Sequence, residues 1–255
     1  MSVPVGEKQA RERHQPKDGS GIAAAIFDWD GVVVDSSEYH RRSWEHLAAE
    51  RALPLPEGHF ERGFGMRNET IIPEVLRWTH DAGEIAELSY AKEEHYRRLV
   101  KDEGLRALPG VFPLLELLQS KGTACAVGTS TPRENITLSL EVLGLSRFFP
   151  VVTASEDVER GKPDPQVFLT AARRLNANPG ACVVIEDAPR GIEAGRRAGM
   201  YVVGVATTRS RENLHEAHLI VDTLRQVTWP KLEAVVQREQ PGNDGTRPST
   251  PAGRR

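Results

Sequence analysis

The sequence predicts an α/β protein: a doubly wound parallel sheet of the Rossmann-like kind, with a helical cap domain inserted into it. Three observations carry that prediction. From about Pro109 onward, short apolar runs alternate with helical patterns of roughly ten residues, the texture of β-α-β crossovers. Earlier, one apolar run rich in strand formers, Ala23-Ala24-Ala25-Ile26-Phe27, stands alone. The roughly eighty residues after it read as helix with no convincing strand, far more than a simple crossover needs.

The first strand stops abruptly at Asp28-Trp29-Asp30-Gly31. A continuing strand would place both carboxylates on one face. Gly31 breaks the chain into a loop instead, where the two acids can converge on one point. Trp29, between them, is expected to pack against the cap junction. In the insertion, Glu38–Arg51, Asn68–Thr79 and Glu84–Lys101 carry apolar residues at helix spacing. Phe112–Ser120 is a helix closed by Gly122, and the strand Ala124–Gly128 follows. Arg133–Leu143, closed by Gly144, precedes the strand Phe149–Thr153. Helix Pro165–Leu175 leads to strand Ala181–Ile185, and helix Arg190–Ala198 to strand Tyr201–Ala206. The core is therefore assigned to 21–36 and 108–238 and the cap to 37–107. Segments 1–20, charged and unpatterned, and 239–255, rich in Pro, Gly, Thr and Arg, have nothing to bury and are expected to be disordered tails.

Composition excludes several classes. A net charge of −3 gives no basic stripe for nucleic acid. No apolar run approaches the roughly 20 residues of a membrane span, and the first twenty lack a signal-peptide core, so a cytoplasmic protein is expected. Cys125 and Cys182 sit in apolar strand runs and read as buried core residues rather than a disulfide. Gly63-Phe64-Gly65 lies outside any strand-to-helix turn, which argues against a dinucleotide site.

Right-handed crossovers bring the carboxyl ends of parallel strands to one edge, where ligands bind. Read in order, the strand ends supply Asp28 and Asp30, then Thr129-Ser130-Thr131, then Arg160-Gly161-Lys162-Pro163-Asp164-Pro165, then Glu186-Asp187. Two acids, a hydroxyl, a cation and two more acids suit phosphoryl transfer. A Mg²⁺ ion held by Asp28, the Asp30 backbone carbonyl and Asp187, with Glu186 supporting or alternative, would offset the charge of a phosphate approaching a carboxylate. Lys162 would neutralise the nucleophile and the transferring group. Thr129 and the amides after it would donate to phosphoryl oxygens. Asp28 then attacks in line to form an aspartyl-phosphate, while Asp30 protonates the leaving oxygen and later deprotonates water.

Asp28-Trp29-Asp30-Gly31, Thr129-Ser130, Gly161-Lys162-Pro163-Asp164-Pro165 and Glu186-Asp187-Ala188, in that order, resemble the motifs of the haloacid dehalogenase superfamily, in the branch with a helical cap after the first strand. The resemblance spans roughly Ile22 to Gln237. Dehalogenating members lack the second aspartate, so Asp30 implies phosphate chemistry. Within the superfamily, Asp35-Ser36-Ser37-Glu38-Tyr39-His40 is similar to beta-phosphoglucomutases and their sugar-phosphatase relatives. That resemblance implies substrate-side roles for cap residues: His40 ordering proton transfer, Arg67 holding a distal phosphate, and Lys92 as a second cap contact. Ser130 and Arg133 are assigned to the substrate as well. One departure stands out. After the second motif this chain reads Thr131-Pro132-Arg133-Glu134-Asn135, where the mutases carry a lysine and an asparagine on the phosphate, and Pro132 has no donor to offer. Thr131-Pro132-Arg133-Glu134, Ala154-Ser155-Glu156-Asp157-Val158 and Gly65-Met66-Arg67-Asn68-Glu69 are also similar to plant plastid phosphatases of riboflavin biosynthesis.

The expectation is a Mg²⁺-dependent phosphatase, monomeric, acting on a small phosphate ester such as a sugar or polyol phosphate. The alternative is a beta-phosphoglucomutase-like isomerase with the same nucleophile. A non-catalytic phosphometabolite sensor fits less well, since every expected catalytic position holds a competent residue.

Overall fold

The computed structural model describes residues 21–238; the tails expected at 1–20 and 239–255 lie outside the described residues. Six strands, β1 (Ala24–Phe27), β2 (Ala124–Gly128), β3 (Val151–Thr153), β4 (Cys182–Glu186), β5 (Tyr201–Val205) and β6 (Leu219–Val221), form one sheet in the order β3-β2-β1-β4-β5-β6. All pairings are parallel. Phe27 stands in register with Val127 on one side and Ile185 on the other, so β1, β2 and β4 end level and their following loops meet. The direction of winding reverses between β1 and β4, the place where such sheets bind ligands.

Helices cover both faces, and the pleat decides which residues meet which helix. On one face, Phe27, Val127 and Ile185 pack against α5 (Val111–Ser120), α6 (Arg133–Leu143) and α9 (Trp229–Arg238) through Leu115, Ile136 and Leu232. On the other, Ile26, Ala126 and Val184 meet α7 (Gln166–Arg174) and α8 (Pro189–Arg197) through Phe168 and Ile192. Burial on both sides explains why the central strands read as continuous apolar runs. Trp29 is fully buried in the first of these clusters, edge-on to Phe149 at 6.0 Å, and that cluster also takes in Val33, Val34, Ala107 and Leu108 of the linkers to the insertion. Cys125 and Cys182 are buried and free, and burial pushes both thiols up to about 12.

The insertion folds as α1 (Ser37–Arg51), α2 (His59–Gly63), α3 (Asn68–Thr70) and α4 (Ala82–Glu103), with its own core of Trp44, Leu47, Ile71, Ile72 and Leu76. The single helix expected over 68–79 is interrupted. After α3 the backbone passes into a π-helical turn, Ile71–Leu76, and stops at Arg77 with φ of 56°. Pro73 sits inside that turn and has no N–H to donate, which disrupts the regular α ladder. At the base of the cap the outgoing and returning linkers run side by side: Val34 bridges antiparallel to Ala107, and Leu108 N–H donates to Val33 at 2.9 Å. Among the described residues no helix is long and apolar enough to cross a membrane.

Candidate active site

The loops at the carboxyl edge converge on Asp28. Gly31, just after it, has a φ of 81°, and a Cβ there would lie 2.2 Å from Asp187 Oδ2, so glycine is required twice over. Lys162 Nζ donates to Asp28 Oδ1 at 2.7 Å and to Glu186 Oε1 at 2.8 Å. The loop carrying Lys162 is fixed by Arg190, whose Nη2 donates to the Lys162 carbonyl at 2.7 Å. Glu186 Oε2 accepts the backbone N–H groups of Asp187 and Ala188 at 2.8 and 2.9 Å. Asp187 accepts from the Thr208 hydroxyl. Helix α8 packs so closely that a Cβ on Gly191 would fall 1.6 Å from Glu186 Oε1. Asp28, Glu186 and Asp187 are all buried, each offering an oxygen within 4.8 Å of the others.

Three buried carboxylates thus share one ammonium. Burial pushes Asp28 up to about 7 although Lys162 pulls against it, and neighbouring Glu186 adds to the rise. Asp187 is pushed well above the carboxylate range, by burial first and then by the charges of Glu186 and Asp28. Burial lowers Lys162, but Asp28 and Glu186 outweigh it and keep the ammonium more firmly protonated than usual.

Asp30 faces the cap rather than this cluster. Ser36 and Thr131 hydroxyls donate to its two oxygens, and His40 Nε2 stands 3.3 Å from Oδ1. Lys92 Nζ lies 2.6 Å from His40 Nδ1. An ammonium can only donate, so Nδ1 accepts and Nε2 carries the proton directed at Asp30. Tyr96 stacks on the imidazole at 4.3 Å. Lys92 is anchored in turn by Glu93 at 2.8 Å, and Glu93 accepts from Asn68 of the cap and Asn135 of α6. Burial would raise Asp30. Hydrogen bonds from His40 Nε2 and the two hydroxyls pull the other way and lower it. The side chains of Asp28, Glu186 and Asp187 come together, and the Asp30 carboxylate is committed to the cap side; only the backbone carbonyl of that residue is expected at the ion.

Two cavities meet at Asp28 and Asp30. The smaller is bounded by Lys162, Glu186, Asp187 and Thr208. The larger, about 720 Å³ of space not filled by atoms, runs beneath the cap and is lined by Thr129, Ser130, His40 and Lys92 among others. Two expected substrate contacts stand elsewhere. Arg67 Nη1 donates to the carbonyls of Val158 and Glu159 at 3.3 and 3.2 Å, and Nε lies 3.3 Å from Glu69. Arg133 is paired with Asp157 and donates to the Val152 carbonyl at 3.2 Å. Neither lines the larger cavity. A long side chain in a polar mouth is taken by the nearest backbone acceptors, and here those belong to core loops. On the opposite rim Arg209 of the core donates to the Glu61 carbonyl of α2 at 2.9 Å, so the cap is held from two sides.

Sequence reasoning did not assign Ser36, Thr131, Glu93, Asn135, Arg190 or Thr208. The strand-end rule extended to β5 would have found Thr208, three residues beyond its last residue. Glu93 sits in a charge-rich stretch that reads as a solvated face, yet it is buried.

A family model described as haloacid dehalogenase-like hydrolase matches residues 25–205. Over 227 residues the chain is 34% identical to the chloroplastic 5-amino-6-(5-phospho-D-ribitylamino)uracil phosphatase of Arabidopsis thaliana, covering 88% of this chain and 61% of that protein; it thus spans about three-fifths of that relative's length. It is 33% identical over 210 residues to the validoxylamine A 7'-phosphate phosphatase of Streptomyces hygroscopicus subsp. limoneus, covering 82% of this chain and 97% of that one. A solved beta-phosphoglucomutase from Clostridium difficile aligns with a TM-score of 0.76 at 28% identity, covering 85% of this chain and 98% of that one.

Proposed function

Since this chain belongs to the haloacid dehalogenase-like hydrolase family, we propose that it is a Mg²⁺-dependent phosphatase of a small sugar or polyol phosphate, working through an aspartyl-phosphate on Asp28. The observation that carries this reading is the position of Asp28: Lys162 touches it on the acidic side, and a cavity beneath the cap with an acid/base group, Asp30, opens on the other. The two curated relatives named above support it, both being named phosphatases.

The acidic cluster fits a hard divalent cation, because it offers only oxygen donors and carries more negative charge than its one ammonium offsets. Asp28 and Asp187 would hold the ion, with Glu186 already occupied by Lys162 and two amides. Bound there, Mg²⁺ supplies the positive charge that lets a phosphate approach a carboxylate. The chain's own groups do the rest. Lys162 neutralises Asp28 and the transferring oxygens. Thr129 and Ser130, at the end of β2, hold the phosphoryl group in line with Asp28. Asp30 is ionised in the free protein, and the charge of an arriving phosphate raises its proton affinity. Protonated in that complex, Asp30 gives its proton to the leaving oxygen, while the His40 Nε2–H orients the carboxyl. Once the alcohol departs, Asp30 takes a proton from the attacking water. The cap, closed over the cavity, keeps bulk water out.

The Lys92–His40–Asp30 chain and the likeness to a solved beta-phosphoglucomutase favour a second reading, an isomerase that returns the phosphoryl group to a reoriented sugar. Hydrolysis in ¹⁸O-labelled water separates the two. A phosphatase puts label into released phosphate at every turnover, and phosphate release that stays negligible while sugar phosphate isomerises would replace this reading with the second.

A metal prediction follows from the same cluster. Asp28 and Asp187 bind protons more tightly folded than unfolded, so their contribution to stability is fully present below the ordinary carboxylate range. It is lost as pH rises toward about 7 for Asp28. Mg²⁺ replaces those protons. Saturating Mg²⁺ therefore raises Tm more at pH 8 than at pH 5, and calorimetry near pH 6 in buffers of different ionisation enthalpy shows protons released on binding. An equal rise at both pH values would contradict the assignment of these two carboxylates.

A further inference from the structure

The cap wall of the larger cavity has a chemistry separate from the reacting centre. His59, Phe60, Phe64 and Met66 line it, with the two phenyl rings 5.1 Å apart. His59 Nδ1 lies 3.0 Å from the Pro56 carbonyl. A carbonyl can only accept, so Nδ1 carries the proton and Nε2 presents a lone pair. That Nε2 is buried and has no hydrogen-bond partner among the described residues. A buried acceptor left unpaired costs stability, and such an atom in a cavity wall marks a place for a donor. The charge pattern narrows what the donor belongs to. Arg67 is committed to two core carbonyls and lies beside Glu69, Arg133 is paired with Asp157, and Lys92 is held by His40 and Glu93. The cap wall thus combines aromatic surface with an acceptor, while Lys92 and Arg133 are held by carboxylates and Arg67 Nη1 by core carbonyls.

We propose that His59 is a specificity-determining residue whose Nε2 accepts a hydrogen bond from a hydroxyl or N–H on the leaving group. The substrate class is then a monophosphate ester of a neutral, donor-bearing alcohol, and bisphosphates are excluded. This rests on the phosphatase reading and deepens it.

The test compares sorbitol 6-phosphate, rich in donors, with p-nitrophenyl phosphate, whose leaving group brings none to the wall, and with fructose 1,6-bisphosphate. The wild type prefers sorbitol 6-phosphate to both. His59→Leu lowers kcat/KM for sorbitol 6-phosphate about tenfold, the effect of one lost hydrogen bond, and leaves p-nitrophenyl phosphate within about twofold. His59→Gln keeps an acceptor at the wall and restores sorbitol 6-phosphate to within about threefold of wild type. Equal losses on both monoesters, no loss on sorbitol 6-phosphate, or a wild-type preference for p-nitrophenyl phosphate or the bisphosphate would each overturn the role of His59 while the phosphatase reading stands. A wild type that hydrolyses none of the three esters overturns both.

Discussion

Asp28→Asn removes turnover and leaves the fold standing: kcat on p-nitrophenyl phosphate falls at least about 10⁴-fold with the far-ultraviolet spectrum unchanged. The amide fills the same space at the end of β1, and Lys162 keeps its 2.8 Å contact to Glu186, so packing is preserved. The amide oxygen is too weak a nucleophile to take phosphorus. Acid-quenched wild type carries covalent phosphate on the peptide containing Asp28, and the variant carries none. Stability moves the other way. Burial holds the Asp28 carboxyl at about 7, so its ionisation costs the metal-free protein stability above neutrality. The variant, relieved of that charge, melts no lower than wild type at pH 8 without Mg²⁺. A variant that retained activity, or one that unfolded, would remove Asp28 from the centre of the mechanism.

Lys162→Met gives the largest loss of stability expected from a single side chain here. It deletes the one cation that touches Asp28 and Glu186 among the described residues and leaves three buried carboxylates facing one another. Breaking a buried ion pair by removing one partner costs about 3–5 kcal/mol. Urea unfolding of the metal-free variant at pH 8 shows that deficit. At pH 5 the deficit shrinks, because Asp28 and Asp187, already raised by burial, take protons instead of repelling each other. Saturating Mg²⁺ recovers part of it at pH 8. Activity stays lost under all these conditions, since Lys162 also faces the transferring oxygens. A pH-independent deficit would mean that the lysine acts by packing alone.

The core was legible because parallel strands buried on both faces must be apolar, and β1, β2, β5 and, up to its terminal Glu186, β4 are. The motifs at their ends then fall on one edge by topology alone, which is why Asp28, Lys162, Glu186 and Asp187 could be grouped, with Asp28 and Lys162 already 134 residues apart. Edge strand β6 was not legible: three residues, partly exposed, show no alternation. Nor was the break after α3, where Pro73 overrides an otherwise helical pattern. In the cap the limit is different. His40 and Lys92 meet across 52 residues through helix packing that no local pattern encodes. Arg67 and Arg133 find partners on core loops, so their charge foretold a contact without saying with what.

The paired linkers at Val34 and Ala107 have a consequence for how such a protein diversifies. The whole cap departs and returns at neighbouring points on the sheet, so it can be exchanged like a cartridge without shifting strand register. The exchange has one condition: His40 and Lys92 reach Asp30 from the cap, so a replacement must bring that pair, or its equivalent, back to the same edge.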